Sequence, residues 1–340
     1  MAGLRSLQVR RCTNWDSGRM DERLNRMSRN RFLLLVVAVV AVAVFVGCSG
    51  GKSRPMTVWA VTMVPLAETS EFQTKLETAL KELCKDRPVQ FVRKTAMGDY
   101  DRLKEILAQA DRGEAGVVVA IGLDVAALAH KETSRVPVVF CGVPYPSIYK
   151  FMEARQSQAP FVGLNEEPPM SMYCDELQKI GQAWTNAGVI LPQGYWGGEK
   201  ETEDFKVAFT SKFAGTVHVI SIDAKTCSQL MDVVGAYNLI AAREVSVYYA
   251  INDGNIAKYL GMLVKQCKNQ KIPVIGGGEA VIELGGVLAV VPDQDETARQ
   301  AAGMVRKLLA GENCSSEAVG KFKLLTNTNA LAELRSEHGK

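Results

Sequence analysis

Metal clusters, activated nucleophiles and phosphate-binding loops each need particular residue types at particular spacings, and this chain supplies none of them in a usable setting. Its three histidines, His130, His218 and His338, are scattered. His218 alternates within a strand-like run and His338 lies in the tail, so no pair has the spacing that zinc ligation uses. No two of the eight cysteines form C-x-x-C, which removes zinc ribbons and thioredoxin-like pairs. Gly276, Gly277 and Gly278 do not open a G-x-G-x-x-G, because the sixth position is Val281, and there is no Walker loop. The single G-x-S-x-G, Gly47 to Gly51, follows an apolar run and a Gly-rich segment rather than the strand-turn-helix of a nucleophile elbow. Carboxylates are plentiful without a distinguished pair, so the chain reads as a non-enzyme with no expected metal or cofactor.

What remains is binding chemistry. Glu68 and Thr69, with Pro65, follow an apolar strand-like run, as do Gly122, Leu123 and Asp124, then Val143, Pro144 and Tyr145. Further along, Tyr195 and Trp196, Asn252 and Asp253, and Glu279 occupy equivalent places. Turns after the strands of an open α/β sheet line its ligand crevice. Tyr195 and Trp196 lie between glycines and offer flat faces for an aromatic or sugar ring; folding over their own helix is the alternative. Asp124 has two readings, a ligand contact or an N-cap for the helix that follows. Asn252 and Asp253 offer hydrogen bonds to a ligand or form a turn with a cap. The Gly276 to Gly278 run allows close approach of a ligand, or simply a tight turn.

The elements that must position these residues alternate. Strand-like runs at Met56 to Met63, Pro88 to Thr95, Gly116 to Gly122 and Val136 to Gly142 are separated by helical periodicities over Ser70 to Lys85, Tyr100 to Arg112 and Val125 to Lys131. A second series follows. Its helices are expected over Ser171 to Thr185, Glu199 to Phe213, Cys227 to Ala242 and Ile256 to Lys268, then Asp295 to Leu309. Its strands are expected at Ala187 to Pro192, Thr216 to Asp223, Val245 to Ile251 and Gly286 to Asp293, with a last one at Phe322 to Asn327 before a terminal helix. Short apolar strands joined by helices indicate parallel sheets covered on both faces. Two sets give an α/β protein of two doubly wound parallel-sheet lobes joined by a hinge, with a single barrel as the alternative. The expected division is lobe 1 at 56–163, lobe 2 at 164–290, and a segment 291–340 returning to the hinge and lobe 1. The paired prolines of Phe161 to Pro169 (FVGLNEEPP) mark the hinge.

Upstream, Phe32 to Val46 is a run of fifteen apolar residues after Arg23, Arg26, Arg29 and Arg31, the order of a secretory signal. A helix of that length spans about 22 Å, short of the ~30 Å hydrocarbon thickness of a bilayer. Residues 1–47 are therefore expected to be a signal, with Met20 and Met27 as alternative starts, and 48–55 a flexible leash. The end of the run, Phe45-Val46-Gly47-Cys48, resembles the bacterial lipobox, with Phe45 in place of the usual Leu. That resemblance implies a lipid on Cys48 that anchors an exported protein to the cell membrane, periplasmic or outer-surface; an uncleaved anchor and ordinary cleavage are the alternatives. Six cysteines then remain in an oxidising space, with fifteen possible pairings. Cys141, inside VPVVFCG, reads as a buried small hydrophobe. A formal charge of +3, partly from the basic leader, and no basic block beyond it exclude nucleic acid as a partner.

Three C-terminal stretches, YYAINDGN (Tyr248 to Asn255), Lys271 to Glu312 and KLLTNTNALAEL (Lys323 to Leu334), together with VVVAIGLDVAALA and VPVVFCGVPYP, carry a family likeness. Beyond the leader the chain resembles the ABC-transporter solute-binding lipoproteins of the periplasmic-binding-protein type I class, near the tryptophan- and sugar-binding sets. Gly122-Leu123-Asp124 and Val143-Pro144-Tyr145-Pro146 depart from the family's usual Gly-Thr and acidic turns, so the solute does not transfer. The resemblance implies a receptor that closes on a small-molecule solute and delivers it to an ABC permease driven by its ATPase. A sensory or structural lipoprotein uncoupled from transport is the alternative.

Overall fold

Two six-stranded sheets, each built on a Val- and Ala-rich central strand set, organise the computed structural model of this chain. It describes residues 56–86, 88–151, 159–181, 183–194, 196–223, 229–276 and 278–338. The expected signal, Cys48 and the leash lie outside the described residues, as do Tyr195 and Cys227.

The first sheet begins with β1 (Thr57–Thr62), α1 (Ala67–Leu83), β2 (Gln90–Thr95), α2 (Tyr100–Gln109) and β3 (Val117–Ile121). It continues with α3 (Leu123–Glu132), β4 (Val138–Cys141) and β5 (Phe161–Asn165). These strands pair in parallel, and a later one, β11 (Glu317–Ala318), joins them, giving the order β11-β5-β4-β3-β1-β2. The second lobe runs α4 (Met170–Ile180), β6 (Asn186–Gln193), α5 (Trp196–Phe213), β7 (Thr216–Asp223), α6 (Leu230–Ala241) and β8 (Val247–Ala250). Then come α7 (Gly254–Ala257), α8 (Leu260–Asn269), β9 (Val274–Gly276), α9 (Glu279–Glu283) and β10 (Leu288–Pro292). Finally α10 (Gln294–Ala310) and β11 (Glu317–Ala318) precede β12 (Phe322–Thr326) and α11 (Thr328–His338). The second sheet has the order β12-β10-β9-β8-β6-β7, parallel except for β12 against β10. Both sheets belong to one compact unit, Arg54–Lys340.

Each sheet is covered on both faces, which is why its strands are continuously apolar. On one face of the first, Phe72, Leu76 and Leu80 of α1 and Ala301, Val305 and Leu308 of α10 pack on Val58, Ala60 and Val119. On the other, Leu103 and Leu107 of α2 and Val125 and Ala129 of α3 cover Trp59, Val61 and Val118. In the second lobe α4, α5 and α11 share one face and α6 and α8 the other. Burying a side chain such as Leu76 fully contributes about 1.5–3 kcal/mol.

Several helices differ from their periodicity. The one expected through Arg112 gives way after Gln109 to a π turn, Ala110–Glu114, in which Gly113 has φ 105°. The one expected to Thr185 stops at Ile180, because Gly181 takes the left-handed conformation (φ 81°) that ends a helix. The one expected over Ile256 to Lys268 is two pieces, α7 and α8.

The chain crosses between lobes three times: at 166–169, at Asp293, and at 319–321. Pairing places residues through Asn165 in the first sheet, two beyond the expected boundary at 163. The segment 291–340 divides between lobes. Helix α10 packs on α1 and β11 pairs with β5, but β12 and α11 join the second sheet and its core. Apolar spacing does not reveal this, since any amphipathic helix suits either lobe.

Candidate ligand-binding cleft

The carboxyl ends of the strands in both sheets face a common cleft. Gly122, after β3, and Gly142, after β4, both have positive φ (92° and 68°), and a Cβ on Gly142 would stand 3.3 Å from the Gly122 amide nitrogen. Such close turns favour glycine. The Gly142 N–H is free to point outward and donates to Glu166 Oε1 at 2.6 Å. Glu166 sits on the first crossing. Burial pushes its carboxyl up to about 7, against the pull of the Gly142 N–H.

A second acid comes from the other lobe. Glu201, on α5, is 1 % exposed, and its Oε1 accepts from the Tyr249 hydroxyl at 2.7 Å and from Asn252 N–H at 3.3 Å. Phe205, one turn on, stacks on the Tyr249 ring with centroids 4.2 Å apart and holds that phenol in place. Burial pushes Glu201 up to about 7, opposed by those two hydrogen bonds and reinforced by Asp253 and Asp204. Between the acids lies a cavity of about 120 Å³, with Pro144 and Glu166 on the first-lobe side and Glu201 and Asn252 on the second. Pro168 and Pro292 close its hinge end.

The loop after β4 also docks across the cleft. Tyr145 is 1 % exposed with φ 55°, and Lys200 of α5 lies 5.5 Å from its ring centroid. Burial raises its phenol well above the usual range, with Glu201, Asp204 and Glu167 adding to the effect. Burial raises the Tyr149 hydroxyl, against the pull of the Gly197 backbone amide in the first turn of α5.

The sequence candidates fall in several places. Pro144 and Asn252 line the cavity, and Gly122 lies behind its lining residue Gly142. Asp124 stays exposed and accepts from the Tyr100 hydroxyl at 2.8 Å, while Gly122 holds the N-cap position with no side-chain cap. Leu123 packs partly into the first-lobe core and Val143 wholly, so Val143 does not face the cleft. Thr69 turns back on Leu66, donating to its carbonyl at 2.9 Å and accepting from its N–H at 3.2 Å. Asp253 accepts from Ile256 N–H at 3.1 Å and caps α7. Glu68 stands at the cleft mouth, its carboxyl raised by desolvation and then by Glu279 and Glu283 of α9 in the opposite lobe. The Gly276 position is tight packing, since a Cβ there would stand 2.5 Å from the Ala250 carbonyl. Tyr195 and the Trp196 side chain are outside the described residues.

Neither acid, Glu201 buried and Glu166 half-buried, stands out in the sequence. Glu166 stood in the Asn-Glu-Glu-Pro-Pro segment read as hinge. Glu201 sits in Lys-Glu-Thr-Glu-Asp, which has the composition of a solvated helix face.

Cys84, Cys141, Cys174 and Cys267 are buried and Cys314 is half-buried, none in a disulfide among the described residues. Full burial, then Glu166, pushes the Cys141 thiol well up, so it packs as a small hydrophobe rather than a nucleophile. Among the described residues no three His, Cys, Asp or Glu side chains are placed to hold a metal ion, and no helix is long and apolar enough to cross a membrane.

Two mostly parallel α/β lobes, joined by crossing strands and facing each other through strand carboxyl ends, define the periplasmic-binding-protein type I class of solute-binding fold. The family model described as ABC transporter substrate binding protein matches residues 68–336, and the chain belongs to that family. A substrate-binding protein with adhesive properties from Clostridium difficile, in its ligand-free, open form, superposes with TM-score 0.68 at 16% identity, covering 82% of this chain and 94% of that one. The ABC domain from Streptococcus pneumoniae in complex with L-Trp gives 0.67 at 17%, with the same 82% and 94% coverage. A conserved domain protein from Vibrio cholerae O1 biovar eltor gives 0.66 at 22%, again covering 82% and 94%. No curated protein matches the chain in sequence.

Proposed function

We propose that this chain is the extracytoplasmic solute receptor of an ABC importer. It closes its two lobes on a small molecule and presents the closed form to a permease powered by a separate ATPase. In this reading it is held at the membrane by a lipid on Cys48 and carries out no chemistry on its solute. The observation that carries the reading is the cavity between Pro144 and Glu166 of one lobe and Glu201 and Asn252 of the other. A ligand shifts an open-closed equilibrium only by its differential affinity for the closed form, so contacts from both lobes are what couple binding to closure.

A thermal-shift screen of the full-length protein in detergent, against amino acids, sugars, nucleosides, purines and amines, tests it. A solute at 100 times its Kd stabilises the fold by about 2.7 kcal/mol. A class-specific rise in Tm is expected; no rise with any class would remove the receptor reading.

A further inference from the structure

We propose that the interlobe cavity selects solutes carrying a cationic nitrogen, an ammonium, amidinium or guanidinium group, which is held between Glu166 of the first lobe and Glu201 of the second. The inference rests on the receptor reading above and names the chemistry of its ligand.

The two carboxyl groups reach the cavity from opposite sides. Glu201 is 1 % exposed, and both of its hydrogen bonds fall on Oε1. Its Oε2 makes none among the described residues, although the side chain lines the cavity. Glu166 is half-buried and makes one hydrogen bond among the described residues, from Gly142 to Oε1. A carboxylate drawn away from water is costly to keep ionised unless a counter-charge stands beside it.

No cationic side chain among the described residues pairs with either carboxyl. The groups that face Glu201 are Tyr249 from β8, Asn252 and Asp253 beyond it, Asp204 on its own helix, Tyr173 from α4 and Tyr145 from the first lobe. Glu166 faces Gly142 and Cys141. The nearest lysine on α5, Lys200, is paired with Asp204 and lies over the Tyr145 ring. The described surroundings are thus acidic, phenolic or neutral. A ligand nitrogen is the missing counter-charge, and a carboxylate-bearing group placed there would meet two acids.

A cavity of about 120 Å³ admits a head group of a few heavy atoms, with the rest of the solute extending toward the cleft mouth. Because the acids stand on different lobes, a cation between them draws the lobes together, so recognition and closure become one event. It also makes affinity depend on pH. Both carboxyls are pushed up to about 7 without ligand, and a cation needs them ionised. Affinity therefore falls as pH drops below 7.

The experiment uses full-length protein in detergent and three probe sets of matched shape: primary amines and guanidines, the corresponding alcohols and amides, and the corresponding carboxylates. Thermal shift finds the binders, and calorimetry gives Kd at pH 7.5 and 5.5. We expect stabilisation by cationic members, absence of it with their neutral and anionic counterparts, and a Kd at least about tenfold weaker at pH 5.5. Glu166→Gln and Glu201→Gln keep the Oε1 acceptor, and each should weaken the cationic probe about tenfold or more and flatten its pH dependence. Unliganded Tm of each variant identifies any folding defect, and the wild-type pH series stands without them.

Stabilisation by neutral or anionic probes alone would overturn the inference while leaving the receptor reading in place. So would a cationic probe whose Kd ignores pH and both substitutions. If no probe and no solute of the wider screen binds, the receptor reading fails and this inference with it.

Discussion

Asp293 ties two of the three interlobe crossings through one side chain. Its Oδ1 accepts from Asp295 and Glu296 N–H and so caps α10, while Lys321 and Lys323 approach at 3.3 and 3.2 Å from the chain returning to β12. Desolvation would raise its pKa, but the two lysines and the cap amides outweigh it and bring it down to about 2. An unfolded aspartate takes its proton near 3.8. The stabilisation is therefore whole above about pH 4 and is lost as pH falls through about 2. Asp293→Ala should lower stability at pH 7 by about 0.5–2 kcal/mol for the cap alone, measured by urea unfolding. The gap between variant and wild type should close as the acid range is entered. The sequence analysis ends a strand at Asp293 and starts a helix at Asp295, and so gives Asp293 no capping role. Its lysine partners were not legible either, because Lys321 and Lys323 reach it only once β12 runs antiparallel to β10. Glu201 was hidden for a related reason: its charged neighbours describe the helix, and only the helix's docking decides which of them is buried.

Strand β5 tolerates no side chain at its centre. A Cβ on Gly163 would stand 2.2 Å from the Phe140 carbonyl oxygen and 2.3 Å from its ring, so the glycine is required by close approach to β4. Backbone oxygen cannot step aside. Gly163→Ala should cost at least the ~1–3 kcal/mol of overpacking, lowering Tm by several degrees and weakening the sheet edge where Ser316 Oγ accepts from Gly163 N–H. The element pattern itself was legible because continuous apolar runs such as Val117–Ile121 suit a parallel strand covered on two faces. Ends were less so, since Gly181 and Gly113 terminate helices through backbone conformation that hydrophobic spacing does not register. Lobe membership after residue 290 was the least legible, for α10 and α11 are both amphipathic and pack on different sheets.

Anchoring is a property of the chain as a unit, and Cys48 is where the proposed tether is tested. Cys48→Ser should abolish incorporation of a labelled palmitate analogue and release the protein from the membrane fraction, with solute affinity unchanged. Retention in the membrane after the substitution would favour an uncleaved apolar anchor at 32–46. Two or more acyl chains at about 0.8 kcal/mol per buried methylene hold a protein stably, whereas one chain holds it only reversibly.

The division of the C-terminal segment between lobes also sets the order in which the molecule can fold. One face of the first sheet stays half covered until α10 supplies Ala301, Ala302, Val305 and Leu308, and the second core is incomplete until α11 brings Leu331 and Leu334. At a synthesis rate of about 5–20 residues per second, the ribosome needs on the order of 10 s between finishing β5 and finishing α10. Through that interval one face of each sheet lacks its full cover. The opposite faces, whose cores lie within 59–161 and 190–281, can form earlier, so each lobe is finished only by side chains from the last fifty residues.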